Sequence, residues 1–217
     1  MVVEDKILAK KIASLEYQTA NKALREVLAK VNAEEQLSIE DIKYILNIPE
    51  KSLIGDFLIE YDYFTEDQKS FIESYIIANL NDEDRDFVSD MIDFATIESL
   101  NLPYEVCIDF LKSNTEGESY VVSSVLSYLI SQPKFNYIEK LFVALTNVLE
   151  DASFFQNAQL KAAFCLFRIT QDRKYLREVI ELVEKGQSIN KDLLKNMLSI
   201  HFNNNKYFSI RELEKYR

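Results

Sequence analysis

Asn81-Asp82-Glu83-Asp84-Arg85-Asp86, continued by Asp90 and Asp93, is the stretch of this chain whose residue types invite chemistry. On a helix, Asp86, Asp90 and Asp93 share one face, where three carboxylates could hold a hard cation such as Mg²⁺. The same residues have a plainer use. Asp82 or Asn81 would cap the helix, and Glu83 and Asp84 would complement the positive end of its dipole. Capping leaves Asp90 and Asp93 unexplained, because the dipole effect fades after the first turn. An acidic face for a protein partner is the third use.

The metal reading finds little support. Asp82, Asp84 and Asp86 are similar in spacing to the first ligands of an EF-hand, yet Phe87 stands where that loop needs Gly and Asp93 where it needs a bidentate Glu. The run also resembles the aspartate-rich helix of isoprenoid synthases, which need a second acidic motif that this chain lacks. There is one histidine, His201, expected at a helix end. HExxH, CxxC, GxSxG, P-loop and GxGxxG motifs do not occur. Cys107 and Cys165 sit singly on apolar helical stripes and read as two reduced core cysteines, against a disulfide or a thiol nucleophile. No catalytic residue, cofactor or metal is expected.

Two other surfaces compete for a role. Glu60-Tyr61-Asp62-Tyr63-Phe64 ends a helix with tyrosines flanking an aspartate, either as core packing or as an exposed binding patch. Arg168, Arg173, Lys174 and Arg177 surround one turn. They offer a small phosphate-binding patch or ordinary surface charge paired with Glu178 and Glu181.

Charge sorts between these surfaces. Residues 34–118 carry 22 acidic against 5 basic side chains, a net of −17, whereas residues 1–33 and 119–217 are net +2 and +4. Four cations beside such a block make a poor phosphate tracker, so neither nucleic acid nor membrane is expected as a partner. A field of one sign steers partners of the other. Glu60, Tyr61, Asp62, Tyr63, Asp82, Glu83, Asp86, Asp90 and Asp93 are therefore the candidate contacts for a basic protein.

The elements that carry these residues are expected to be helices. The chain has 217 residues, 47% of them hydrophobic, with only three Gly and three Pro; average usage would give roughly 15 and 11. Tight hairpins and phosphate loops need Gly at positive φ. No stretch is long and apolar enough for a transmembrane helix, and the start, Met1-Val2-Val3-Glu4-Asp5-Lys6, lacks the order of a secretory signal, so a cytoplasmic setting is expected. One stripe from Ile7 through Leu15, Leu24 and Val31 predicts a single long helix over residues 1–33. Acidic helices fill 34–81. Ser38 with Asp41 opens one, Pro49 begins another running to about Tyr61, and Thr65 caps a third. After about three helix pairs over 82–184, helices follow in 185–217, broken at Asn203-Asn204-Asn205. All 217 residues read as one domain.

The pairs repeat. Phe87, Met91, Ile92 and Phe94 match Val121, Val125, Leu126 and Tyr128 at an offset of 34, and a further step of 38–39 reaches Phe164 and Phe167. Pro103, Pro133 and Asp172 mark the three turns. Residues 158–169 followed by Asp172 resemble a HEAT repeat, whose small-residue, Leu-rich first helix runs into an Asp-containing turn. The resemblance implies an all-α fold, a right-handed α-solenoid of antiparallel helix pairs, with a compact helical bundle as the alternative. The profile is also similar to that of bacterial immunity proteins, small acidic proteins that block a toxin. The expected function is a non-catalytic module binding a basic protein, a toxin being one such partner. An adaptor scaffold is the alternative, and a HEAT-like enzyme acting on nucleic-acid bases is a third reading.

Overall fold

A computed structural model describes residues 6–33, 36–112, 119–132, 138–185, 194, 195 and 197, and over these every regular element is helical. Contacts divide the chain into two units, Met1–Asp82 and Glu83–Arg217. That boundary coincides with the start of the sequence repeats.

The first unit holds α1 (Lys6–Ile12), α2 (Tyr17–Asn32), α3 (Ile39–Leu46), α4 (Ser52–Leu58), a 3-10 turn (Tyr61–Tyr63) and α5 (Glu66–Asn79). The single N-terminal helix expected from the apolar stripe is broken at residues 13–16. There the Ser14 hydroxyl accepts from the Glu16 N–H at 3.1 Å, and the Thr19 hydroxyl donates to the Glu16 carboxylate at 2.8 Å. Such local bonds compete with the helical ladder. The break lets α1 pack back on α2 with Leu8 and Ile12 buried, and it leaves Leu15 exposed.

Two helix starts are written plainly in the sequence. The Ser38 and Thr65 hydroxyls each accept from the N–H three positions on, and the Asp41 and Gln68 side chains accept from the cap N–H groups in turn. These are capping boxes. Pro49 precedes α4 by three residues instead of opening it, and α4 ends at Leu58, short of the expected Tyr61. Leu53, Ile54 and Phe57 of α4 are buried, as are Ile72 and Ile76 of α5, and the Phe57 and Phe64 rings lie 5.2 Å apart.

The second unit holds α6 (Arg85–Ile97), α7 (Tyr104–Lys112), α8 (Ser119–Ser131), α9 (Glu139–Glu150), α10 (Gln156–Thr170) and α11 (Arg173–Lys185). Helix α6 packs on α8 and α8 on α10, while α7 meets α8 and α9, and α10 meets α9 and α11. Side-chain bonds between first helices join residues at nearly the repeat offset. Ser89 meets Ser124, 35 positions on, at 2.9 Å, and Lys161 meets Ser123, 38 back, at 2.8 Å. Further along α10, Arg168 reaches Leu129 and Ile130. Partners advance together along the two helices, so α8 and α10 run parallel and in register. Pro103 sits just before α7, and Asp172 accepts from the Lys174 N–H at 2.9 Å in the last turn. Pro133, His201, Asn203-Asn204-Asn205 and the expected C-terminal helix boundaries lie outside the described residues.

The scarcity of glycine has a structural counterpart. Ser99 and Gln171 adopt left-handed backbone, φ 57° and 56°, at the ends of α6 and α10, positions where Gly is usual. At α6 the Leu100 N–H reaches back to the Ala95 carbonyl at 2.9 Å, which closes a Schellman motif around Ser99. Elsewhere, side chains of neighbouring helices bond terminal carbonyls. Tyr44 donates to Ala9 of α1 at 2.7 Å and Tyr75 to Leu46 of α3 at 2.5 Å.

Candidate functional site

The 3-10 turn separates the two tyrosines proposed as a binding patch. With three residues per turn, Tyr61 and Phe64 face inward and Asp62 and Tyr63 outward. Tyr61 is only 6% exposed, its hydroxyl donates to Glu73 at 2.9 Å, and the Lys69 ammonium lies 5.2 Å from its ring centre. It is a packing residue, which corrects its assignment as a surface contact. Tyr63 is 67% exposed, with Asp62 exposed beside it and Glu60 half-buried.

Asp82, at the end of the same unit, is also committed internally. Its carboxylate pairs with Lys51 at 2.5 Å in a partly shielded bridge. It does not cap α6; Asp84 does, accepting from the Phe87 N–H at 3.1 Å. Asp82 and Asn81 stand too far from the first helical turn for that role.

In the second unit Glu83, Asp86, Asp90 and Asp93 are all exposed. Asp86, Asp90 and Asp93 follow one another at four- and three-residue steps along α6, opposite its buried Phe87, Val88, Met91 and Ile92. None of the three makes a salt bridge. Desolvation, then Asp93, Asp86 and Asp84, hold the Asp90 carboxyl above the ordinary aspartate range. Like charges on one face raise each other's pKa in this way. Among the described residues, no three His, Cys, Asp or Glu side chains are grouped to hold a metal ion.

The basic turn is different from its expected form. Arg168 is half-buried and donates to the carbonyls of Leu129, Ile130 and Gln132, the last at 2.5 Å. It closes the C-terminal end of α8, which commits its guanidinium to the helix end instead of to a phosphate. Lys174 pairs with Asp172 and lies 4.6 Å from the Tyr175 ring centre, while Glu181 pairs with Lys185.

Two features escaped the sequence reading. One is Lys161, buried on α10, whose ammonium donates to the Ser123 carbonyl at 3.1 Å and to the Ser123 and Ser127 hydroxyls at 2.8 Å each. Burial lowers its pKa, and the charge of Asp93 opposes that fall. With every ammonium donor directed at an oxygen of α8, Lys161 links α8 and α10. A lysine inside the apolar run Leu160–Phe164 was the available signal. The other feature is a groove of about 400 Å³ between α2 and the end of α4, lined by Leu24, Arg25, Leu28, Asp56, Ile59 and Glu60 among others. It depends on two helices meeting, which periodicity within either one does not reveal.

Both thiols are buried and free, and burial pushes each up to about 12. Neither is an activated nucleophile. No helix among the described residues is long and apolar enough to cross a membrane. The described residues define an all-α protein with a row of exposed carboxylates on α6 that form no salt bridge. Comparison with protein-family models, with curated proteins and with solved structures finds no match to the chain.

Proposed function

We propose that this chain is a non-catalytic binding protein that offers acidic helical surfaces to a basic protein partner in the cytoplasm. The observation that carries this reading is the row of Asp86, Asp90 and Asp93. They are exposed on one face of α6 without a salt bridge, and Asp90 is held above its ordinary range by its own neighbours. Placing three like charges on one face costs folding stability, and the α6 cap needs only Asp84. Opposite charge on a partner relieves that repulsion and raises the rate of encounter. Tyr63 and Asp62 add an exposed amphipathic ring beside a carboxylate, the composition favoured at interfaces.

The in-register packing of α6, α8 and α10 favours a stacked array of helix pairs, a rigid support for such a face. Blocking a toxin, in the manner of an immunity protein, is the most specific form of the proposal. A scaffold holding a host complex is the broader form. Engagement of Arg168 with α8 weighs against the nucleic-acid reading, since the basic turn loses one of its four cations.

Affinity capture from the native cytoplasm at low and moderate salt tests the proposal, with Asp86→Lys/Asp90→Lys as control. A basic protein retained by the wild type and lost with the variant or with salt supports it. Identical captures by both proteins would remove the acidic face from consideration. A toxin among the captured proteins selects the immunity form, and a stable non-toxic host complex the scaffold form.

A further inference from the structure

We infer that the groove between α2 and α4 is a docking site for a cationic amphipathic helix. The inference rests on the reading of the chain as a binder of basic protein, and it assigns a second surface and a partner element to that role. The lining residues of α2 run from Asn21 through Arg25 and Leu28 to Asn32, one helical face of about three turns and about 16 Å. Facing them are Asp56, Ile59 and Glu60 from the last turn of α4 and the residues just after it. A groove bounded in this way leaves space for the side-chain ridge of another helix.

The chemistry of the walls selects the occupant. Leu24 floors the groove, Leu28 is half-buried, and Ile59 is 76% exposed at its rim, a large aliphatic side chain left in water. Asp56 and Glu60, four positions apart on the α4 wall, make no salt bridge. On the opposite wall the Arg25 Nε is already bonded to Asn21 at 2.8 Å, and Asn21 to the Tyr17 hydroxyl at 3.0 Å, so that side is held in place. A helix with an apolar ridge and lysines or arginines along the flank nearest α4 satisfies both carboxylates. Arg25 disfavours basic groups on the other flank and so sets the orientation.

The test uses a synthetic helical peptide of leucine and lysine, LKKLLKLLKKLLKL, and its leucine–glutamate counterpart, with binding followed by fluorescence anisotropy. The Leu/Lys peptide is expected to bind and the Leu/Glu peptide not to bind. Ile59→Ser removes the exposed aliphatic side chain without adding charge and should weaken binding by at least about tenfold. Asp56→Lys/Glu60→Lys should weaken it as well, whereas Arg25→Glu should strengthen it. Equal binding of both peptides, or no effect of Ile59→Ser, overturns the inference. So does a dimer of the protein alone that Ile59→Ser dissociates, because the occupant would then be a second copy. Asp86→Lys/Asp90→Lys should leave peptide binding unchanged. A groove variant that fails while the α6 variant still abolishes partner capture removes the groove and leaves the broader reading intact; the reverse result does the opposite.

Discussion

Lys161 and Arg168 lie seven residues apart on α10, two turns along the same face, and both donate into α8. Lys161 binds Ser123 and Ser127 around its middle, and Arg168 binds the carbonyls at its C-terminal end. A buried cation is tolerated when its donors are all satisfied. Replacing Lys161 by Met keeps much of the aliphatic stem and removes the bonds to both serines. Lys161→Met should destabilise the second unit by about 1–3 kcal/mol, the usual cost of stripping partners from buried polar groups. Urea unfolding measures this; an unchanged midpoint would mean that the clamp contributes nothing net.

Arg168→Lys tests the cap separately. A lysine carries the charge but not the planar fork that spans several carbonyls. The substitution should still cost about 1–2 kcal/mol, and hydrogen exchange should accelerate at the last turn of α8 ahead of the other helices.

Ser99 holds left-handed backbone where Gly would bear no Cβ penalty. Ser99→Gly should raise stability by about 0.5–1 kcal/mol. Gln171→Gly should gain less, because Gln171 also donates to the Arg168 carbonyl at 3.0 Å. Thermal unfolding orders the two.

The acidic face predicts a pH dependence with a definite sign. The Asp90 pKa is raised in the folded protein, through desolvation first and then Asp93, Asp86 and Asp84. Between the ordinary aspartate value of 3.8 and that raised value, the folded chain binds more protons than the unfolded one. The contribution of Asp90 to stability is therefore fully present below 3.8 and is lost as pH rises through the folded value. Asp90→Asn should stabilise the protein at neutral pH and lose that advantage in acid. The same variant should weaken partner capture. A stabilising change that impairs binding marks a functional residue.

Thiol labelling checks the core. Cys107 and Cys165 are buried with pKa values pushed up to about 12, so they should resist iodoacetamide at pH 8 until the protein unfolds. Fast labelling of either in the native state would contradict its burial.

Local signals were legible and long-range ones were not. The boxes at Ser38 and Thr65 involve atoms three residues apart, and the sequence names both partners. The repeat offsets of 34–39 reappear as contacts because parallel helices bring equivalent positions together. The break at residues 13–16 was hidden: an apolar stripe continues through it, and only the packing of α1 on α2 decides that Leu15 stays in water. Tyr61 and Tyr63 look alike in sequence, and the three-residue period of a 3-10 turn sends one inward. Arg168 reads as a surface charge until the end of α8 is seen beside it. Asp86, Asp90 and Asp93 were readable because a single helix suffices to place them together.

Helix ends finished by a neighbour's side chain make the second unit hard to edit. In a ladder of self-contained rungs, one rung could be deleted or duplicated without harm to the rest. Here α10 carries both the ammonium that grips the middle of α8 and the guanidinium that closes its end, so excising the last helix pair would leave α8 frayed as well as uncovered. Two side chains thus tie the last helix pair to α8, and truncations that stop after α9 should yield aggregation-prone fragments and not a shorter working protein.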